Sequence, residues 1–179
     1  MIPGPVKEML ARNSTFAQTY RAGPGLVQMA TAMRATGAGV VVLSCSDPRL
    51  NPYQILGLDQ TLKATMVRNA GGRVFDAVRT LAVLQTIGAP GTIVVMHHTA
   101  IKKTLTEIAP EASQSIEASS FGEITGSIEE SIQQDLALLK ASPLIRNTTL
   151  LVGMKYDTHT GVLTVVETSG AEDAQAASL

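Results

Sequence analysis

The sequence contains a single cysteine, no tryptophan, and only three phenylalanines and three tyrosines in 179 residues. One thiol excludes an intrachain disulfide and fits a reducing compartment. With aromatics at 3%, any core has to be built from Val, Ile, Leu, Ala and Met. Charge is sparse as well. Asp, Glu, Lys and Arg make up 16% of the chain, and 14 basic against 15 acidic side chains leave a formal net charge of −1. There is no basic run interleaved with aromatics, so nucleic acid is not an expected partner. No uninterrupted apolar stretch reaches the length of about 18 residues that a membrane span requires. Met1 to Leu10 carries Pro, Lys and Glu where a secretory leader needs an apolar run. A soluble cytoplasmic protein is the expectation.

With 45% hydrophobic residues, a chain of this length is expected to form one domain with a substantial core. Its low charge fraction also suits a chain that covers part of its surface with another subunit. Short β-branched runs alternate with longer helical ones. The runs are Gly39 to Ser44, Ala64 to Val67, Thr92 to Met96 and Thr148 to Val152. The first reads as a fully buried parallel strand, and the third is announced by the turn Gly88-Ala89-Pro90-Gly91. Between the second and third, apolar residues at 74, 75, 78, 81, 82, 84 and 87 make a helical stripe. Ser127 to Lys140 reads as an amphipathic helix, with Ser127 and Glu130 at capping-box spacing and Pro143 beyond its end. Met154 to Val166, with Asp157, Thr158 and Gly161 inside, predicts a hairpin. Strands alternating with helices predict an α/β fold with a mainly parallel sheet flanked by helices.

Ahead of the sheet, residues 1–37 predict a helical arm of two helices broken at Gly23-Pro24-Gly25. Residues 38–170 would form the sheet domain, and residues 171–179 a loose tail. No internal repeat is present.

In open α/β sheets, ligands bind outside the C-terminal ends of the strands. The first strand runs into Cys45-Ser46-Asp47-Pro48-Arg49 and the third into His97-His98-Thr99. The sole cysteine and two of the three histidines therefore reach the same sheet edge. Taken singly, each has a plainer reading. Cys45 can be a small buried hydrophobe, the histidine pair hydrogen-bonded structure, and Asp47 with Arg49 a loop ion pair. Arg68-Asn69-Ala70-Gly71-Gly72 can be a turn needing positive φ, or an anion nest before a helix.

In this order and spacing the three segments together resemble the β-carbonic anhydrases. The resemblance continues through Ser127-Ile128-Glu129-Glu130-Ser131-Ile132, Ser142-Pro143-Leu144-Ile145, Gly153-Met154-Lys155-Tyr156-Asp157 and Thr160-Gly161-Val162-Leu163. It covers roughly residues 35 to 167. It implies that family's fold and a zinc ion held by a Cys, a His and a second Cys. The first Cys matches Cys45 and the His matches His98. The family's Asp matches Asp47, which binds zinc in a resting form or swings away to pair with the Arg matching Arg49. Water on the metal then becomes the hydroxide that attacks carbon dioxide. The resemblance further implies a homodimer or a dimer of dimers, with the N-terminal arm lying across the partner.

The match breaks at one segment. Where the family reads His-Thr-Asp-Cys-Gly, this chain reads His98-Thr99-Ala100-Ile101-Lys102, so the second zinc-binding Cys is Ile101. Many relatives also carry Gly-Asp where this chain has Leu62-Lys63. Three readings follow. Zinc can be retained on Cys45, Asp47 and His98, with carbonic anhydrase activity. A metal-free enzyme can work in the same cleft on a small organic substrate, by a lyase- or hydrolase-type reaction. Its catalytic residues would be Cys45, Asp47, Arg49 and His98, and its substrate contacts Gly71, Gly72, Ile101 and Lys102. Third, the chain can be a binding or scaffold relative without catalysis. The cofactor is Zn2+ in the first reading and none in the second.

Overall fold

The β-branched runs become strands, each slightly displaced from its sequence limits by the hydrogen bonds of its neighbours. The structure, a computed structural model, describes residues 2–59, 62–99 and 126–170. Five strands are present among them: β1 (Val40–Cys45), β2 (Thr65–Asn69), β3 (Thr92–His98), β4 (Leu150–Tyr156) and β5 (Leu163–Ser169). They form one sheet in the order β2-β1-β3-β4-β5. β1, β2, β3 and β4 pair in parallel and β5 runs antiparallel to β4. The helices are α1 (Gly4–Thr19), α2 (Leu26–Thr36), α3 (Pro52–Ile55), α4 (Val74–Gly88) and α5 (Ile128–Ala141). This is the α/β architecture expected from the sequence.

Strand alternation divides the core between the two faces of the sheet. Val41, Leu43, Ile93, Val95 and Leu151 pack with residues of α4 and α5, among them Leu81, Ile132, Leu136 and Leu139. Val42, Val94 and Val152 face the other way. Each fully buried aliphatic side chain contributes about 1.5–3 kcal/mol of transfer free energy, so the parallel strands are held mainly from the α4 and α5 side. α5 starts as its sequence predicts. The Glu130 N–H donates to Ser127 Oγ at 3.1 Å, and the Ser127 N–H donates to Glu130 Oε2 at 2.8 Å.

Several boundaries differ from the sequence reading for local reasons. β1 continues through Cys45, which lies in register with Asn69 of β2, and β3 continues through His98, in register with Tyr156. β4 begins at Leu150 rather than Thr148, because Thr149 is used locally: its N–H donates to Arg146 O and its Oγ1 accepts from Gln85 Nε2 at 3.0 Å. The short α3 was not foreseen, although Asn51 caps it by accepting from the Gln54 N–H and Pro52 occupies its first position.

Among the described residues, neither α1 nor α2 has a buried side chain. α2 nevertheless touches the sheet domain. Arg34 donates from Nε to Ile87 O at 2.9 Å and from Nη2 to Thr86 O, which occupies carbonyls at the end of α4. Met33 reaches over Gly39 and Gly88, where added β-carbons would lie 2.6 and 3.2 Å from its Cε. No helix among the described residues is long and apolar enough to cross a membrane.

Candidate active site

Parallel pairing of β1 with β3 puts the Cys45 and His98 strand ends side by side at one edge of the sheet. Cys45 is 4% exposed and His98 is 2% exposed. The chain leaves β1 through a tight turn in which the Leu50 N–H donates to Asp47 O. The Asp47 N–H points back to Cys45 Sγ at 3.4 Å. Arg68, from β2, braces this turn with its guanidinium. Its Nε donates to Cys45 O at 3.0 Å, and its Nη2 to Asp47 O at 2.8 Å and Leu50 O at 2.9 Å. One arginine thus reaches three carbonyls of this turn, Asp47 O in addition to its bond from the Leu50 N–H.

Asp47 is gripped by Arg49. The Arg49 N–H donates to Oδ1 at 2.9 Å, its Nε to Oδ1 at 3.0 Å, and its Nη2 to Oδ2 at 2.6 Å. Hydrogen bonding from the Arg49 side chain lowers the Asp47 carboxyl to about 2, against the opposing effect of burial. Asp47 is therefore ionised throughout the physiological range. The Arg49 side chain itself is 55% exposed, so it closes the cleft from the solvent side.

His98 faces Asp47 from the opposite wall, with Nε2 3.9 Å from Asp47 Oδ2. Its Nδ1 donates to Thr99 O at 2.9 Å. Because Nδ1 meets a carbonyl, it carries the proton in the neutral ring, and Nε2 is left with its lone pair. That Nε2 atom is buried without a hydrogen-bond partner among the described residues. Burial pushes the imidazole below its ordinary pKa, with the Thr99 carbonyl and Asp47 opposing. The cleft thus holds a neutral base, an ionised carboxylate locked to arginine, and a buried thiol.

Gly71 and Gly72 adopt φ of 74° and 70°, the left-handed region the sequence anticipated for this turn. Gly72 also packs against the Cys45 backbone, since a Cβ there would fall 2.9 Å from the Cys45 nitrogen. Cys45, Asp47, Arg49 and His98 are therefore brought together, with Gly71 and Gly72 in the turn behind them. Ile101 and Lys102 lie outside the described residues.

The zinc that the resemblance implies can be tested against these side chains. A buried imidazole nitrogen without a partner is what a metal ligand presents, and Cys45 supplies one sulfur beside Asp47. The third donor does not fit, because Ile101 has no donor atom and the chain has no second cysteine. Asp47 is already engaged by Arg49. Among the described residues, no group of three His, Cys, Asp or Glu side chains is arranged to hold a metal ion. The residues present do not complete the Cys, His, Cys set.

A second polar cluster escaped the sequence reading. Asp135 of α5 is fully buried and accepts from Arg73, from the Val74 N–H and from His97 Nε2. Ser131 Oγ lies 3.3 Å from His97 Nδ1. Burial alone would raise the Asp135 carboxyl, but the bonds from His97, Arg73 and Val74 outweigh it and hold the group below its ordinary value. The sequence did carry one signal. Asp135 falls on the buried stripe of α5 beside Ile132, Leu136 and Leu139, where a charge demands a partner.

No family model matches the chain. Among curated proteins, it is 30% identical over 134 residues to β-carbonic anhydrase 1 of Mycobacterium tuberculosis (strain ATCC 25618 / H37Rv), covering 71% of this chain and 81% of that protein. Among solved structures, it is similar to a carbonic anhydrase from Streptococcus mutans, with a TM-score of 0.68 and 28% identity over 93% of this chain and 100% of that one. It shares its fold with the apo form of a carbon disulfide hydrolase, at a TM-score of 0.56 and 21% identity over 91% and 90% of the two chains.

Proposed function

The chain belongs to the β-carbonic anhydrase family, and from that premise we propose that it is a divergent enzyme of the family working without the standard zinc set. The Cys45/Asp47/Arg49/His98 cleft would carry a lyase- or hydrolase-type reaction on a small organic substrate. The observation that carries this reading is Ile101 at the sequence position of the family's third zinc ligand, in a chain with one cysteine, beside a His98 Nε2 that is buried without a partner among the described residues. An unsatisfied buried nitrogen costs roughly 1–3 kcal/mol. A cleft that retains such an atom at the strand ends, beside a thiol and an ionised carboxylate, is suited to a substrate that supplies the missing partner.

In this reading His98 Nε2 takes a proton, from the Cys45 thiol or from water. Cys45 serves as nucleophile or as a polarisable wall, and Arg49 holds Asp47 ionised and orients it. The aliphatic Ile101, in sequence at the position of the family's third zinc ligand, suits an organic substrate, and Lys102 next to it in sequence carries a positive charge. Gly72 packs against the Cys45 backbone, so the Gly71-Gly72 turn would meet the substrate only through its main chain. A protein whose single cysteine acts as a reduced thiol also fits the cytoplasm. The chain would act as a homodimer or dimer of dimers, since α1 exposes Met9, Leu10 and Phe16 to solvent in the single subunit. The carbon disulfide hydrolase of the same fold indicates that this architecture accommodates a reaction other than carbon dioxide hydration.

The test pairs metal content with turnover. Purified protein is expected to hold far less than one zinc per chain, to hydrate carbon dioxide poorly, and to turn over a small ester or carbon disulfide. The His98→Ala variant should lose roughly 100-fold or more of that turnover. Stoichiometric zinc with carbon dioxide hydration would overturn the reading in favour of a Cys45/Asp47/His98 metal enzyme. No turnover of any of the three substrates would favour the scaffold reading.

A further inference from the structure

Asp135 has 0% of its surface exposed, although its carboxyl is held in the ionised form. A buried charge is tolerated only where donors surround it. Here the donors come from two separate parts of the fold. Arg73 approaches with Nε at 3.1 Å and Nη2 at 3.0 Å, the Val74 N–H at 3.0 Å, and His97 Nε2 at 3.1 Å. Since Nε2 meets a carboxylate, it carries the proton, and Nδ1 accepts from Ser131 Oγ one turn earlier on α5.

Each donor sits next to a wall of the cleft. His97 immediately precedes His98 on β3, and strand alternation sends the two rings to opposite faces. A rotation of this strand end would move both rings together. Arg73 and Val74 follow Gly71 and Gly72 directly. Gly72 rests against the Cys45 nitrogen and the Met96 carbonyl, where a Cβ would lie at 2.9 and 3.3 Å. The carboxylate on α5 therefore ties the strand end that carries His98 to the turn that backs Cys45.

We propose that Asp135 is a positioning residue for the cleft, setting where His98 stands relative to Cys45 from the far side of the sheet. The functional part rests on reading that cleft as an active site, whereas the positional part is measured without any substrate.

The test uses the full chain labelled with 15N-histidine, which has only three imidazoles to assign. Asp135→Asn keeps the side-chain volume and removes the charge. It is expected to shift the His98 ring resonances and to change the iodoacetamide alkylation rate of Cys45 by roughly fivefold or more, as the loss of a network interaction would. With an active substrate, kcat should fall while KM stays near its original value. Leu139→Ala, a cavity on the same helix, supplies the control for general destabilisation: its His98 resonances and Cys45 rate should remain those of the parent protein. The proposal is overturned if Asp135→Asn loses stability yet keeps the parent His98 resonances and Cys45 rate. Should Asp135→Asn fail to fold, Arg73→Lys retains the charge but loses the fork, and parent resonances in that variant would likewise overturn the proposal. Absence of turnover in the parent protein counts against the active-site reading alone, because the resonances still decide the position of His98.

Discussion

Gly72 and Cys45 meet through their backbones: a β-carbon built on Gly72 would fall 2.9 Å from the Cys45 nitrogen and 3.0 Å from the Ser44 carbonyl carbon. Backbone atoms cannot yield as a flexible side chain does. Gly72 also has φ of 70°, which L side chains adopt at a cost of about 1–3 kcal/mol. Gly72→Ala should therefore lower the urea midpoint by more than that strain alone, with the slope unchanged. Gly57→Ala provides the comparison, since φ is 61° there and nothing lies within 4 Å of the added carbon. Equal losses in the two variants would show that the contact with Cys45 carries no energy.

Asp135 is one source of the fold's sensitivity to acid. Its folded carboxyl is held below the ordinary aspartate value of 3.8 by His97, Arg73 and the Val74 N–H acting against burial. A depressed carboxyl contributes stability that is complete above the unfolded pKa and lost as pH falls through the folded one. Removing one partner of a buried pair costs about 3–5 kcal/mol. Asp135→Asn should show a loss of that order near neutral pH, with Arg73 left buried beside an amide. The gap from the parent protein should narrow as pH falls below about 4, where the unfolded carboxyl takes up a proton that the folded one still refuses. Chemical denaturation of both proteins across that range reads the difference, and a gap independent of pH would rule out an ionised Asp135 as its source.

The contrast between His98 and Asp135 shows what the chain makes readable. His98 and Cys45 each end a β-branched run, and a parallel sheet brings its strand ends to one edge. Their meeting could be inferred before any coordinates, as could α5 from the Ser127 and Glu130 cap. The hairpin of β4 and β5 was announced by Asp157 and Gly161, whose turn closes with the Gly161 N–H on Asp157 O. The Arg73–Asp135 pair spans 62 residues and depends on how α4 and α5 settle on the sheet. No local pattern encodes that distance. α3 is four residues long, too short for periodicity to reveal, and the docking of Met33 over Gly39 and Gly88 is a matter of fit between surfaces. Local chemistry was legible, and long-range polar pairing was not.

The N-terminal arm calls for a partner surface. α1 is 16 residues long and buries no side chain among the described residues, with Met9 67%, Leu10 56% and Phe16 58% exposed. Isolated helices of this length are marginal in water. A second copy of the chain would cover these side chains and stabilise the helix. Light scattering should give about twice the 18.8 kDa chain mass, or four times for a dimer of dimers. Leu10→Asp with Phe16→Asp should weaken association by roughly tenfold or more and reduce helix content in proportion. A monomer at all concentrations would refute the assembly.

Arg49 controls Asp47 from the solvent side, and the two effects of removing it can be separated. Hydrogen bonds from Arg49 lower the Asp47 carboxyl to about 2, whereas burial acts the other way. Without the guanidinium, burial is opposed only by the residue-49 N–H and by His98, so Arg49→Gln should raise Asp47 from about 2 toward the ordinary 3.8. A 13C carboxyl titration reads this directly. Asp47 contributes stability that is complete above the unfolded pKa and is lost in the parent only as pH falls toward 2. In the variant that contribution should shrink and disappear at higher pH. The loss at neutral pH should be small, because Arg49 is largely exposed and the pair is screened by salt. Activity should respond more than stability. With Oδ2 no longer gripped, the carboxylate 3.9 Å from His98 Nε2 can turn toward the imidazole, where it favours the protonated ring and so removes the lone pair that the substrate would use. A variant with full turnover and an Asp47 still titrating near 2 would show that the backbone turn, rather than Arg49, holds the carboxylate in place.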